Sequence, residues 1–365
     1  MDTGTLRLFG LDFSLESREV STYFRKERKP LQPEGFAMPD PENNLTPPEA
    51  VVEVRGRRFL FAVEASRRGA DYERYERMRL EIWDDPGDHM AGQRNMVSEN
   101  FFTHGGCLYI GIYREDEEGG FPRRAEHLVG FAYGYVGIKD KTIAFRNPSN
   151  LVFYSQYAAV NPEFRNLGLG VRLKEFQRDQ VRDLMGVKAV ICTYDPLVGV
   201  NAYRNIHVFG MEVVSYQDAY YRGFIGRLNR PDVPADRLLV HWDLERQKVR
   251  EAIDLPYLLE HGHNLSGIEL KRIDGRSGPT EVPVIKGVRE ETSLDPILIE
   301  IPFDYYTMLY ETDVADQGVR QIPITWRLLV RRAFHTQLAA GYGVKDFLYS
   351  ASGKRKRDFY VLRKT

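Results

Sequence analysis

The chain of 365 residues is long for one domain and comfortable for two, and its 42% apolar and 28% charged residues make an ordinary globular composition. A formal net charge of −1 with no long basic block argues against nucleic-acid and anionic-membrane partners and leaves a small substrate as the expectation. The only two cysteines, Cys107 and Cys192, sit in apolar strand-like runs, which fits core thiols in a reducing compartment rather than a disulfide framework.

No apolar run approaches the ~18 residues that span a bilayer, and Met1-Asp2-Thr3-Gly4 does not open like a signal peptide, so a cytoplasmic protein is expected. Residues 1–50 read as an arm, with an alternating stretch near Leu6–Phe13 and a proline-rich linker from Pro30 to Pro48. Val51–Val54 and Phe59–Ala65 flank a charged turn, as strands of a hairpin would. Across 70–84, Tyr72, Tyr75, Met78 and Ile82 share one face of a predicted amphipathic helix that Asp85-Pro86-Gly87 ends. A second short helix is expected in 91–103. Cys107–Tyr113, Leu128–Val136 and Asn150–Val160 read as strands, and 168–185 as a helix. Lys188–Tyr194 is a buried strand by its β-branched content, Val198–Phe209 a helix, and Met211–Tyr221 and Leu238–Leu244 two more strands. Residues 51–245 are therefore predicted to form one mixed-sheet α/β domain. The remainder, 246–365, is predicted as an α+β domain. It has a Gly- and Pro-rich variable stretch over 262–294, a strand Ile297–Ile301, a helix over 323–340 and paired strands near 343–350 and 358–363.

The chemistry concentrates at Arg165-Asn166-Leu167-Gly168-Leu169-Gly170, between a strand and a helix. Glycines two apart at a helix start expose backbone N–H groups at the positive end of the helix dipole, a cradle for a pyrophosphate. The run is neither G-x-G-x-x-G nor a P-loop, so a dinucleotide fold and a nucleotide hydrolase both lose support. Arg-x-x-Gly-x-Gly, preceded by Val160-Asn161-Pro162-Glu163-Phe164, resembles the acyl-CoA pyrophosphate motif of the GNAT acyltransferases.

That resemblance implies a GNAT fold and acetyl-CoA or another acyl-CoA as co-substrate. Ala158, Ala159 and Val160 would bond the pantetheine arm, the six loop residues would hold the pyrophosphate, and Asn201 would organise the mouth of a splay between two strands. The same resemblance places a general-acid tyrosine four residues before Gly210, where this chain has Ile206. Tyr203 and His207 are the candidates to replace it. The competing expectation is that Tyr203 packs in the core and His207 faces solvent. Glu163, Asp195 or a water relay could accept the amine proton.

The runs Glu300-Ile301-Pro302-Phe303-Asp304, Trp326-Arg327 and Gly341-Tyr342-Gly343-Val344-Lys345-Asp346-Phe347 resemble a bacterial GNAT branch with an extra C-terminal half, some members of which are linked to N-succinylation of amino acids. The function expected is acyl transfer, from an acetyl or succinyl donor, to the amine of a small amino-acid-like acceptor. Arg204, Arg222 and Arg237 are candidate partners for its carboxylate. Two other readings stay open: a silent acyl-CoA-binding module, and a doubled transferase whose 246–365 repeats the first half. A homo-oligomer is compatible with either. His104-Gly105-Gly106 lacks the G-x-S-x-G of a serine hydrolase, and His261-Gly262-His263 lacks a third metal ligand nearby.

Overall fold

Strand formation begins where β-branched and aromatic residues alternate with charge. The computed structural model describes residues 6–8, 11–13, 45–221, 226–246, 252–291, 293–351 and 355–365. Residues 1–46 form a unit of their own, in which β1 (Leu6–Leu8) pairs antiparallel with β2 (Leu11–Phe13). The proline-rich linker lies mostly outside the described residues.

Pro47–Thr365 forms a single compact unit. Strands β3 (Glu49–Val54) and β4 (Arg57–Val63) are joined through Arg55 and Gly56, both at positive φ, the two-residue turn whose twist matches antiparallel strands. Helices α1 (Glu73–Trp83) and α2 (Gln93–Glu99) follow, and the expected face Tyr72, Tyr75, Met78 and Ile82 is buried against the sheet. Next come β5 (Cys107–Arg114), β6 (Leu128–Ile138) and β7 (Leu151–Val160). Helix α3 (Leu169–Asp179) runs into a π-turn at Gln180–Leu184 before β8 (Ala189–Tyr194). Helix α4 (Gly199–Ala202) likewise continues as a π-helix over Tyr203–Val208, ahead of β9 (Glu212–Gln217) and β10 (Arg237–Asp243).

The eight strands β3 to β10 form one sheet in the order β3-β4-β5-β6-β7-β8-β10-β9, antiparallel except where β7 meets β8. Helices pack on both faces, over separate apolar cores. This is the mixed α/β sheet that the resemblance implies. Cys107 and Cys192 are both buried and free.

Beyond residue 245 the chain adds α5 (Leu255–Glu260), β11 (Ser266–Gly275), β12 (Gly278–Val288), β13 (Ile297–Ile301), α6 (Tyr305–Glu311), α7 (Gln317–Arg320), α8 (Ile322–Ala339), β14 (Tyr342–Ser350) and β15 (Arg357–Lys364). The stretch 262–294, read from sequence as a variable Gly- and Pro-rich segment with no element assigned, is mostly a long hairpin, β11 on β12. Its apolar residues Ile273, Val282 and Ile285 are buried, and its glycines and Pro283 are tolerated because each strand has a free edge. The second sheet, β13-β15-β14, is wholly antiparallel among the described residues and does not repeat the first. Helix α8 buries Trp326, Val330, Ala333 and Phe334, spaced three or four apart, as a stripe facing a core does.

Candidate functional site

The central fact of the site is how short the parallel contact is. Strands β7 and β8 pair only at Phe153 with Val190 and Tyr154 with Ile191. From Ser155 to Val160, β7 keeps its antiparallel partner β6 on one side and, among the described residues, has no strand on the other. Backbone groups that point away from β6 along this run face an open gap and offer themselves to a ligand, as any unpaired strand edge does. A bulge marks the opening: Gly134 pairs with Ser155 and Tyr133 with Tyr157, so Gln156 is left over. Ala158, Ala159 and Val160 lie on this free run and are partly exposed.

The run leads into the glycine loop. Asn166 and Gly168 both take positive φ, 62° and 76°, which turns the chain sharply into α3. The first bonds of the helix are made by Val171 and Arg172 to the Gly168 carbonyl, so the N–H groups of Leu169 and Gly170 have no partner in the helix. A Cβ on Gly168 would meet nothing within 4 Å, so the space over the cradle is open. Arg165 is exposed beside it, while Leu169 anchors the loop in the core. Unpaired N–H groups, a helix dipole and an unobstructed approach together fit a pyrophosphate.

Arg204 is placed under this loop rather than at an acceptor pocket. Its Nη1 stands 3.2 Å from where a Gly170 Cβ would be, and its Nη2 donates to Asn201 Oδ1 at 2.8 Å. Its Nε is buried without a hydrogen-bond partner, and burial holds the guanidinium below its ordinary pKa. Nearby, Lys174 is buried and donates to Ser155 Oγ at 2.5 Å and to Gln177 Oε1 at 3.1 Å. Loss of solvent brings its pKa down to about 8. Two cations without a carboxylate partner therefore sit behind the gap.

Tyrosines line the mouth where the gap opens. The Tyr221 hydroxyl lies 3.4 Å from both Tyr154 Oη on β7 and Thr193 Oγ1 on β8. The Arg237 guanidinium lies over the Tyr221 ring, 4.9 Å from its centroid. Burial, then Tyr221, raises the Tyr154 phenol above its ordinary range. Arg222 lies outside the described residues.

The other sequence candidates are distributed differently. Asp195 ends β8, but its two oxygens accept from Arg327 Nη1 and Nη2 at 2.8 and 2.5 Å, and Oδ1 also accepts the Leu197 N–H. Both oxygens of this carboxylate are thus taken up by donors in the fold. Glu163 lines a cleft of about 320 Å³ with Arg74, Arg77, Arg114 and Asn161, on the β6 side of β7 and so across that strand from the gap. Tyr203 stacks on His207, with ring centroids 4.7 Å apart, and meets Tyr349 edge-on. His207 Nδ1 lies 3.0 Å from Asp346 Oδ1. Both side chains are thus engaged with β14, and Ile206 between them is buried in the core.

The C-terminal residues that carry the sequence resemblance build this junction. Arg327 holds Asp195, Asp346 meets His207, Glu300 pairs with Arg357, and Asp304 caps α6 by accepting the Thr307 N–H. Asp236, fully buried, accepts from Tyr216 at 2.8 Å and from Arg331 at 2.6 and 2.9 Å. Sequence reasoning missed Asp236, Tyr305 and Arg331, because only three-dimensional contact joins them to this region. His261 and His263 bond the carbonyls of Tyr257 and Pro296, and no group of three metal-ligand side chains occurs among the described residues.

No family model matches the chain, and a search of curated proteins finds no match. Among solved structures, NAA60 from Arabidopsis thaliana in complex with a bisubstrate analogue is 12% identical, with a TM-score of 0.37, over 50% of this chain and 98% of that one. The ribosomal-protein-S5-alanine acetyltransferase from Vibrio fischeri is 14% identical, with a TM-score of 0.37, over 55% of this chain and 100% of the other. The ribosomal-protein-S18-alanine N-acetyltransferase from Escherichia coli is 12% identical, with a TM-score of 0.34, over 53% and 99%.

Proposed function

We propose that the protein is an acyl-CoA-dependent N-acyltransferase that acylates the amine of a small, amino-acid-like acceptor. The observation that carries the reading is the gap itself: a strand edge left free from Ser155 to Val160 that runs directly into an N–H cradle at the start of α3. An extended pantetheine amide chain matches a free strand edge, and a pyrophosphate matches the cradle. Arg204 beneath Gly170 adds a cation on the pyrophosphate side.

On the acceptor side, Tyr154, Thr193, Tyr221 and Arg237 surround the mouth. Arg237 donates to the Asp236 carbonyl at 2.8 Å and stands 3.7 Å from Asp195 Oδ2, and it is the arginine we assign to an acceptor or succinyl carboxylate. The reaction is direct attack of a neutral amine on the thioester. The oxyanion falls to a backbone N–H of β7 near Ala159 or Val160. With Glu163 across the strand and Asp195 held by Arg327, water at the mouth is the proton acceptor the geometry favours.

A second reading rests on one observation, Ile206 buried where the resemblance expects a tyrosine: an acyl-CoA-binding module without turnover. One set of measurements separates the two. A thermal-shift panel of free, acetyl-, succinyl- and longer acyl-CoAs reports binding, because a ligand that binds only the folded state stabilises it by mass action. Thiol release is then followed with each free amino acid. Binding with amine-dependent CoA release supports the transferase, binding without release supports the silent module, and no binding overturns both.

A further inference from the structure

The C-terminal part of the chain carries a pocket of its own. Strand β12 ends at Val288 beside the second half of α8, and between them lies a cavity of about 240 Å³. That is smaller than the ~300–1,000 Å³ of a drug-sized site, so it suits a small molecule. Leu329, Arg332, Ala333, Thr336 and Gln337 recur every three or four positions along α8, so one stripe of the helix lines the cavity. On the strand side is Gly287, where a Cβ would meet nothing within 4 Å, and the missing side chain leaves the space open. The lining divides by burial. Ala333 and Gln337 are 4% and 1% exposed, and with the partly buried Val288 and Leu329 they form an apolar floor around one amide. That amide is the odd member, since Gln337 Oε1 is buried and has no hydrogen-bond partner among the described residues. A buried acceptor left unmade is costly, and protein interiors rarely keep one. At the rim, Lys286, Arg289 and Arg332 are exposed and stand against one carboxylate, Glu290. Lys286 reaches Glu269 at 2.5 Å, and Arg289 donates to the carbonyls of Gly262 and Asn264. Arg332 pairs with Glu290, but both side chains are more than half exposed, and such a pair is weak enough for a ligand anion to take over.

We infer that this pocket between β12 and α8 is a binding site for a small organic carboxylate that also carries an N–H or O–H donor. The carboxylate meets Arg332 at the rim, whose planar fork suits it. The donor gives Gln337 Oε1 the hydrogen bond it lacks. A short aliphatic part lies on Val288, Leu329 and Ala333. N-acylated amino acids, the product class of the proposed reaction, meet this description, and so do 2-hydroxy acids. The inference stands on the pocket alone and does not depend on the acyltransferase reading.

The test titrates the full-length protein by calorimetry with N-acetylalanine and with lactate. Two further probes each lack one feature: propionate has no donor, and N-acetylalaninamide has no charge. At least one of the two acids is expected to bind with a Kd under ~1 mM, and which of them binds tells an amide donor from a hydroxyl. Propionate and the neutral amide should bind at least about tenfold more weakly. Gln337→Leu should bring the acid down to the propionate level, Arg332→Ala should weaken it about tenfold, and Gly287→Leu, which fills the open space, should abolish binding. Because Arg332 is an exposed side chain, its variant reads the site even where a change at the floor disturbs folding. Binding of the acid that survives both Gly287→Leu and Arg332→Ala belongs elsewhere, such as the mouth around Arg237, and overturns the inference. So does propionate bound as tightly as the better acid, or no binding of either acid.

Discussion

The two sides of the gap are built in opposite ways. On the loop side the functional groups are backbone N–H and C=O from one continuous run, Ser155 to Gly170, and the side chains mostly stay out of the way. On the mouth side they are side chains from residues more than a hundred positions apart, such as Asp195 with Arg327, His207 with Asp346 and Tyr194 with Tyr360. Under the proposed function, backbone recognition suits the part of the ligand that is the same in every acyl-CoA, since it needs only a chain conformation. Side-chain recognition suits the variable acceptor, and it requires a second structural layer to bring the groups together.

The largest effect expected is on the mouth side. Arg327→Ala would strip the partly buried Asp195 of its bidentate partner and leave it only Arg237, 3.7 Å away, at a cost of about 3 kcal/mol of folding stability. Equilibrium urea unfolding measures it, and a loss under 1 kcal/mol would mean that the pair does not join the two regions as described.

On the loop side, Gly170→Glu sets a carboxylate in the cradle beside Arg204, whose Nη1 lies 3.2 Å from the new Cβ position. CoA affinity should fall about a hundredfold, close to 2.7 kcal/mol, with the thermal midpoint little changed. Unaltered affinity by calorimetry would break the pyrophosphate assignment, and a collapsed midpoint would show that the loop is as structural as the mouth.

Smaller than either is the effect expected of Gly199→Ala. A Cβ at Gly199 would lie 1.8 Å from Asp358 Oδ2 and 2.9 Å from its Cγ, so the buried Asp358 carboxylate would have to turn aside. A cost of about 1–3 kcal/mol is expected, and Asp358→Ala should relieve most of it in the double variant. Additive losses would indicate that the two elements separate readily.

The smallest effect is a pH dependence. Burial, and then Glu300, raise the Asp358 pKa from 3.8 to about 7. Over that interval the folded state binds the proton and the unfolded state does not, so stability declines as pH rises from about 4 to 7. Asp358→Asn should flatten that decline and add on the order of 1–2 kcal/mol at neutral pH. A wild-type curve that rises over the same interval would contradict the assigned environment.

Much of the main sheet was legible before any coordinates, because α1, β5 to β8 and α3 carry their periodicity in contiguous runs. The face Tyr72, Tyr75, Met78 and Ile82 could be named because a helix repeats every 3.6 residues whatever it packs on. The hairpin over 266–288 was not legible, since Gly267, Gly275, Gly278, Pro279, Pro283 and Gly287 mask its alternation. Nor were α5, α6 and α7, of four to seven residues each, too short for a periodic signal.

By itself the sequence determined the glycine loop and the strand that feeds it, because a cradle of backbone N–H groups is a local property of chain conformation. Only the tertiary structure decided what each side chain near it does. Asp195 is gripped by the buried Arg327, Arg204 lies under Gly170 and not in the mouth, and Tyr203 and His207 face β14. Those outcomes depend on which surfaces exclude water together, and the order of residues along the chain does not state that.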